Sequence, residues 1–272
     1  MPFSLVNCMD PNFSGFSMEH FVTDQDDACK AHSLGLASKL AYEKSEIVRH
    51  ECMNWGFSEV HSIRWKTTKG FVAVHDDIIV VSFAGTDPLD LSNVLTDLRH
   101  GLVPFEDMGY VHEGFLDALG LINTHQDLDG IQDTPGNALT RWIHLGLVYV
   151  TDLASSFLLR FFGLHDYHHK MLKRKNSTHA HIQVLEIISN HWKEKNRAIW
   201  LTGHSLGGAL ATVLSAKLIQ GYPELVPSLH VYTYGQPRTG DSQFCQWIDR
   251  HLPNRFFRFV LCNDIIPRLP FS

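Results

Sequence analysis

The chain has no pair of cysteines that could anchor a fold. Its five, Cys8, Cys29, Cys52, Cys245 and Cys262, are odd in number, widely spaced and include no CxxC. That argues against a disulfide scaffold and against a cysteine-type zinc site. The first residues, Met1 to Asp10, lack both a basic segment and an apolar stretch of signal-peptide length. Free thiols and no leader pattern lead us to expect a reducing compartment, with the protein cytoplasmic or peripheral to a membrane. Positive charge is scarce: 23 Lys+Arg stand against 29 Asp+Glu, a net charge of -6. A nucleic-acid binder that works by neutralising phosphates is excluded on that balance. Charged residues make up 19% of the chain, below the roughly 25% of ordinary domains. There is no internal repeat and no low-complexity tract.

What is present is apolar material. Hydrophobic residues are 44% of the 272 and aromatic residues 11%, enough to build a sizeable core and to exclude dominant disorder. One α/β domain can reach roughly 250 residues, so the chain reads as an N-terminal arm over 1–26 and a single domain over 27–272. Helical periodicity runs from Asp27 to Lys44 and from Glu46 to Met53. Strand-like runs follow at Glu59–Trp65, Gly70–His75 and Ile78–Phe83. The last is apolar throughout except for Ser82, as a strand buried on both faces must be. A helix start is read at Gly114 to Thr124 and a helix at Ala180–Lys193. Then strand Ala198–Thr202, helix Leu206–Gln220 and strands Leu229–Tyr234 and Phe256–Cys262 alternate, which implies α/β architecture.

The most informative stretch is 198–214. Gly203-His204-Ser205-Leu206-Gly207 lies between an apolar strand and an apolar-periodic helix. This is G-x-S-x-G in its confirming context, a nucleophile elbow. A strand that turns abruptly into a helix, with one side chain held up at the bend, needs minimal neighbours. Gly203 and Gly207 supply that room, and Gly208 adds more. The helix N-terminus then lies under Ser205, where its free N–H groups favour developing negative charge. The Leu206 N–H is the natural first oxyanion donor.

With these residues the sequence resembles the class 3 lipases, the fungal-type branch of the α/β-hydrolases. Further segments match that family in order: Val80 to Asp87 as strand and oxyanion loop, Asn93 to Leu98 as lid segment, Val111-His112-Glu113-Gly114-Phe115, Tyr232 to Gly240, and Asn263 to Pro270. The resemblance implies an α/β-hydrolase fold with a mixed, mostly parallel sheet and an inserted helical cap. It implies hydrolysis of carboxylic esters of lipids, in the manner of a triacylglycerol lipase, through an acyl-enzyme on Ser205. Thr86 would join Leu206 in the oxyanion hole, and Asp264 would orient the general base. His112 reads as structural, tying a loop beside the site, and His204 as packing beside the elbow. No cofactor and no metal are implied, and His168, His169, His179 and His181 form no recognised ligand spacing. Two positions depart from the family: Ala84 replaces its usual Arg and Val94 its usual lid Trp. Both bear on interfacial activation rather than on hydrolase identity.

The triad order in this fold is Ser, then Asp, then His. Residues 265–272 contain no histidine. Three explanations stand: a fragment that lacks the catalytic His, an inactive relative that keeps the fold for lipid binding or interaction, or an upstream His such as His251 or His112 moved into the role. We expect the first. The family's framework is also interrupted at about 125–178. Within that insertion Ile143, Leu147, Val150, Ala154, Phe157, Phe161 and Leu164 recur at spacings of 4, 3, 4, 3, 4 and 3, one apolar face of a helix. Asp152 disfavours a transmembrane helix. A cap helix packed on the domain is expected, and peripheral membrane or lipid-droplet contact is the alternative.

Overall fold

The fold is described by a computed structural model over residues 13, 15–23, 27–85, 101–121 and 179–270. The insertion at 125–178, Thr86 and the lid segment with Val94 lie outside these described residues.

A six-stranded sheet runs in the order β1 (Glu59–Trp65), β2 (Thr68–Val74), β3 (Ile78–Phe83), β6 (Ala198–His204), β7 (Leu229–Tyr234), β8 (Phe256–Phe259). The first three strands form an antiparallel meander, and β3, β6, β7 and β8 are mutually parallel. The sheet is therefore mixed, as the continuous apolar run in β3 implies. Every residue of β3 is buried. Ile79, Val81 and Phe83 enter one core, while Ile78 and Val80 enter another on the opposite face. The period of two divides one apolar run between two layers.

The first layer is built by α4 (Glu113–Leu119), α5 (Ala180–Lys195), α6 (Leu206–Gly221) and α7 (Ser242–His251). The second is built by α2 (Asp27–Leu40) and α3 (Ser45–Asn54). Residues ahead of α2 join it: α1 is a single turn, Glu19–Val22, and Phe16 stacks on Trp55 at 4.2 Å between ring centroids. The lone polar side chain of β3 serves this layer. Ser82 Oγ donates to the Ala37 carbonyl at 3.0 Å and Thr202 Oγ1 to the Leu34 carbonyl at 3.2 Å. Both satisfy groups that burial would otherwise leave unpaired.

Several boundaries differ from the sequence reading. The first helix stops at Leu40 rather than Lys44. The helix read over 114–124 spans Glu113–Leu119, because Gly120 takes a left-handed conformation at φ 74° and ends it. The last strand stops at Phe259, short of Cys262. Further elements are additional to that reading, α1 among them. The hairpin β4 (Leu102–Pro104) and β5 (Tyr110–His112) is short, with too little apolar alternation to register. Helix α7 is capped by Asp241, whose carboxylate accepts from the Phe244 N–H at 2.8 Å.

Candidate active site

Strand β6 becomes helix α6 at Ser205, which has φ 55° and ψ −124°. A side chain held there costs on the order of 1–3 kcal/mol, so the surroundings must enforce it. They do so through the backbone. The Ser205 N–H donates to the Tyr234 carbonyl at 2.8 Å, carrying the β6–β7 ladder one residue further. The Ser205 carbonyl accepts from the Gly208 N–H at 3.0 Å, opening the helix.

The glycines follow from the packing. A Cβ on Gly207 would lie 2.1 Å from the Phe83 carbonyl oxygen, and one on Gly203 would lie 2.3 Å from the Gly207 carbonyl. Helix α6 folds back so tightly over β3 and β6 that backbone meets backbone. Gly208 is less confined, with Gln236 Cβ at 3.0 Å from such an atom. Leu206 is the first residue of α6, so its N–H has no partner within the helix. It lies at the positive end of the helix dipole, beside a Ser205 that is 7% exposed.

The end of β3 abuts this elbow. A Cβ on Gly85 would be 2.2 Å from the Tyr42 hydroxyl, 2.7 Å from the His204 carbonyl oxygen and 3.2 Å from Ser205 Cβ. Thr86 follows directly and is outside the described residues. Ala84 is buried in the second core.

Asp264 lies on the loop after β8 and does two things. Its Oδ1 accepts from the Ile266 N–H at 3.0 Å, the turn-forming bond of an Asx turn. Its Oδ2 borders Gly235, 3.0 Å from where a Cβ would be, and His204 Nε2 borders the same point at 3.4 Å. Gly235 has φ 57°, a conformation that suits glycine, and its missing side chain leaves the carboxylate and the imidazole adjoining one another. Arg258 holds the loop, its Nη2 donating to the Gln236 carbonyl at 2.7 Å and to the Pro267 carbonyl at 2.9 Å.

His204 packs beside the elbow, and its partner Tyr42 was not legible in the sequence. The Tyr42 hydroxyl is 2.9 Å from His204 Nδ1. Burial pushes the His204 imidazole below its ordinary pKa, and the Asp264 carboxylate opposes that shift. The two histidines considered for a relocated base, His251 and His112, are engaged elsewhere. His251 Nδ1 is 2.8 Å from the Trp247 carbonyl and its ring stacks on Trp247 at 3.9 Å. His112 is buried, edge-on to Phe115, with its backbone N–H donating to the Thr239 carbonyl at 3.1 Å.

A mostly parallel sheet between two helical layers, with a strained serine at a strand-to-helix bend, defines an α/β-hydrolase. The model of the family "Lipase (class 3)" matches residues 80–272. The chain belongs to the class 3 lipases. It is 32% identical over 274 residues to triacylglycerol lipase OBL1 of Nicotiana tabacum, covering 87% of this chain and 48% of that protein. The OBL1 of Ricinus communis is 32% identical over 257 residues, with 87% and 45% covered. The chain thus spans about half the length of the curated relatives it matches. Among solved structures, the lipase of Rhizopus microsporus var. chinensis superposes with a TM-score of 0.56 at 20% identity, covering 89% of this chain and 70% of that one. The triacylglyceride lipase of Rhizomucor miehei gives 0.55 at 20% identity, with 92% and 76% covered. These two likenesses show the fold.

Proposed function

We propose that the chain is the nucleophile-bearing part of a serine hydrolase that cleaves carboxylic esters of lipids, in the manner of a triacylglycerol lipase. The observation that carries this reading is the strained Ser205 at the head of α6 with the Asp264 loop beside it. Ser205 Oγ attacks the ester carbonyl carbon. The Leu206 N–H and Thr86 donate to the oxyanion. A histidine takes the serine proton and returns it to the leaving alcohol, and Asp264 holds that ring in the productive tautomer. Water then attacks the acyl-enzyme by the same route. Because residues 265–272 hold no histidine, the base is assigned to sequence beyond Ser272. The half-length coverage of the relatives supports that assignment.

The test uses the chain extended past Ser272 in its own reading frame. A fluorophosphonate probe should label it, Ser205→Ala should abolish the label, and p-nitrophenyl esters should turn over. No label and no turnover in the extended chain would overturn the reading in favour of an inactive lipid-binding relative. A Ser205→Ala variant that still labelled would overturn the assignment of the nucleophile.

A further inference from the structure

A second cluster of chemically competent side chains stands at the far end of the sheet. Glu59 and His61 are two apart on β1, so they share a face. That face carries Ile63 into the core lined by α5, and His191 comes down from α5. Glu59 Oε2 is 3.3 Å from His61 Nε2 and 3.5 Å from His191 Nε2. One ligand atom from each of the three residues falls within 4.8 Å of the others. The register runs from Glu59 through Val74 and Ile79 to Ile199, six residues before Ser205. At about 3.3 Å per residue the cluster is on the order of 20 Å or more from the elbow.

Two features set it apart from an ordinary ion pair. The first is the separations. A charge-assisted N–H···O bond settles at about 2.7–2.9 Å, and both distances exceed that. Two ligand atoms each about 2.0–2.1 Å from a tetrahedral zinc stand about 3.3–3.4 Å apart, close to the 3.3 and 3.5 Å separations from Glu59 Oε2. The second is His61 Nε2 itself, an atom out of contact with solvent that makes no hydrogen bond. It lies 3.3 Å from the carboxylate without being satisfied by it, although burial of such an atom calls for a partner.

We propose that Glu59, His61 and His191 bind a divalent transition cation of the zinc type, with a water in the fourth position. Two imidazoles and one carboxylate suit zinc, while magnesium and calcium ask for oxygen ligands. Both rings bind through Nε2 as neutral imidazoles, each carrying its proton on Nδ1. The ion joins edge strand β1 to α5, the helix that leads into β6 and so to Ser205. It acts as a structural clamp, since the elbow lies at the opposite end of the strands. The spacing in sequence gave no warning, because His191 comes from a helix 130 residues downstream of the Glu-x-His pair on the strand.

The experiment is calorimetric titration of the chelator-treated chain with zinc chloride. A single equivalent is expected. His61→Asn and His191→Gln should weaken it roughly tenfold or more, and Glu59→Gln should weaken it measurably. Zinc should raise the unfolding temperature of the unsubstituted chain and leave that of His61→Asn unmoved, with circular dichroism confirming that each variant is folded. Cobalt in the same site should give the intense visible bands of tetrahedral geometry. The double variant His168→Ala/His169→Ala should keep the equivalent. The proposal is overturned if no equivalent binds, if the three variants bind like the parent, or if the double variant removes the site.

Discussion

The Tyr42 hydroxyl lies 2.9 Å from Nδ1 of His204, while Nε2 of the same ring borders Gly235 together with Asp264 Oδ2. One tautomer fits both neighbours. A carboxylate oxygen on that side calls for a donor, so the proton belongs on Nε2. Nδ1 then accepts, and Tyr42 donates to it. Burial keeps this ring neutral by pushing its pKa down. The residue before the nucleophile is therefore held at Nδ1 by Tyr42, with the Asp264 carboxylate across Gly235 from its other nitrogen.

Tyr42→Phe should remove the donor to Nδ1 while leaving the ring packing. The expected cost is about 0.5–1.5 kcal/mol in urea unfolding. Nitrogen chemical shifts of the His204 ring should show the Nε2–H form in the parent and a mixture in the variant. An Nδ1–H ring in the parent would contradict the arrangement.

The two elbow glycines should be far less replaceable than glycines elsewhere. Gly207→Ala puts its methyl 2.1 Å from the Phe83 carbonyl oxygen, backbone that cannot step aside. Overpacking of this kind costs about 1–3 kcal/mol or more. Gly114, in the first turn of α4, has open space around a Cβ position. Gly114→Ala should stabilise by about 0.4–1 kcal/mol. Paired urea melts test the contrast, and equal effects at the two positions would refute it.

Much of the framework was legible because the sequence patterns that encode it are local. The run Ile78–Phe83 announced a strand buried on both sides, and the glycines around Ser205 announced a bend where a helix crosses a strand. Asp264 was readable as a carboxylate on a loop after the last strand, and there its Oδ1 accepts from the Ile266 N–H while its Oδ2 borders Gly235. What escaped was long-range. Tyr42 lies 162 residues from His204, and no periodicity connects a turn after α2 to the elbow. Likewise Arg258 braces the Asp264 loop by grasping carbonyls, which no side-chain motif records.

Acid should weaken the fold through buried imidazoles. Burial pushes His181 down to about 4 and His230 down to about 4. In the unfolded chain each returns to its ordinary value near 6.5. Below that value the unfolded chain takes up protons that the folded chain refuses, so stability is full above it. It is lost as the pH falls from about 6.5 toward 4, by on the order of 2 kcal/mol per ring after screening. His230, stacked on Trp200 at 4.2 Å, is the cleaner test. His230→Gln should flatten the dependence of unfolding free energy on pH across that window, and an unchanged slope would remove it from the explanation.

Strain at Ser205 can be read directly from stability. Its φ of 55° with ψ of −124° belongs to glycine's range. Ser205→Ala removes the hydroxyl but leaves a Cβ in the strained conformation. Ser205→Gly removes both, and relief of the backbone is worth on the order of 1–3 kcal/mol. Against that stands the extra freedom of glycine in the unfolded chain, about 0.4–1 kcal/mol. The glycine variant should therefore be more stable than the alanine variant by about 1 kcal/mol, although neither can act as a nucleophile. The comparison isolates the backbone, since the two variants differ by one methyl group. If the alanine variant is the more stable, Ser205 is not strained, and the elbow holds its shape for some other reason than the ladder to Tyr234 and the helix behind it.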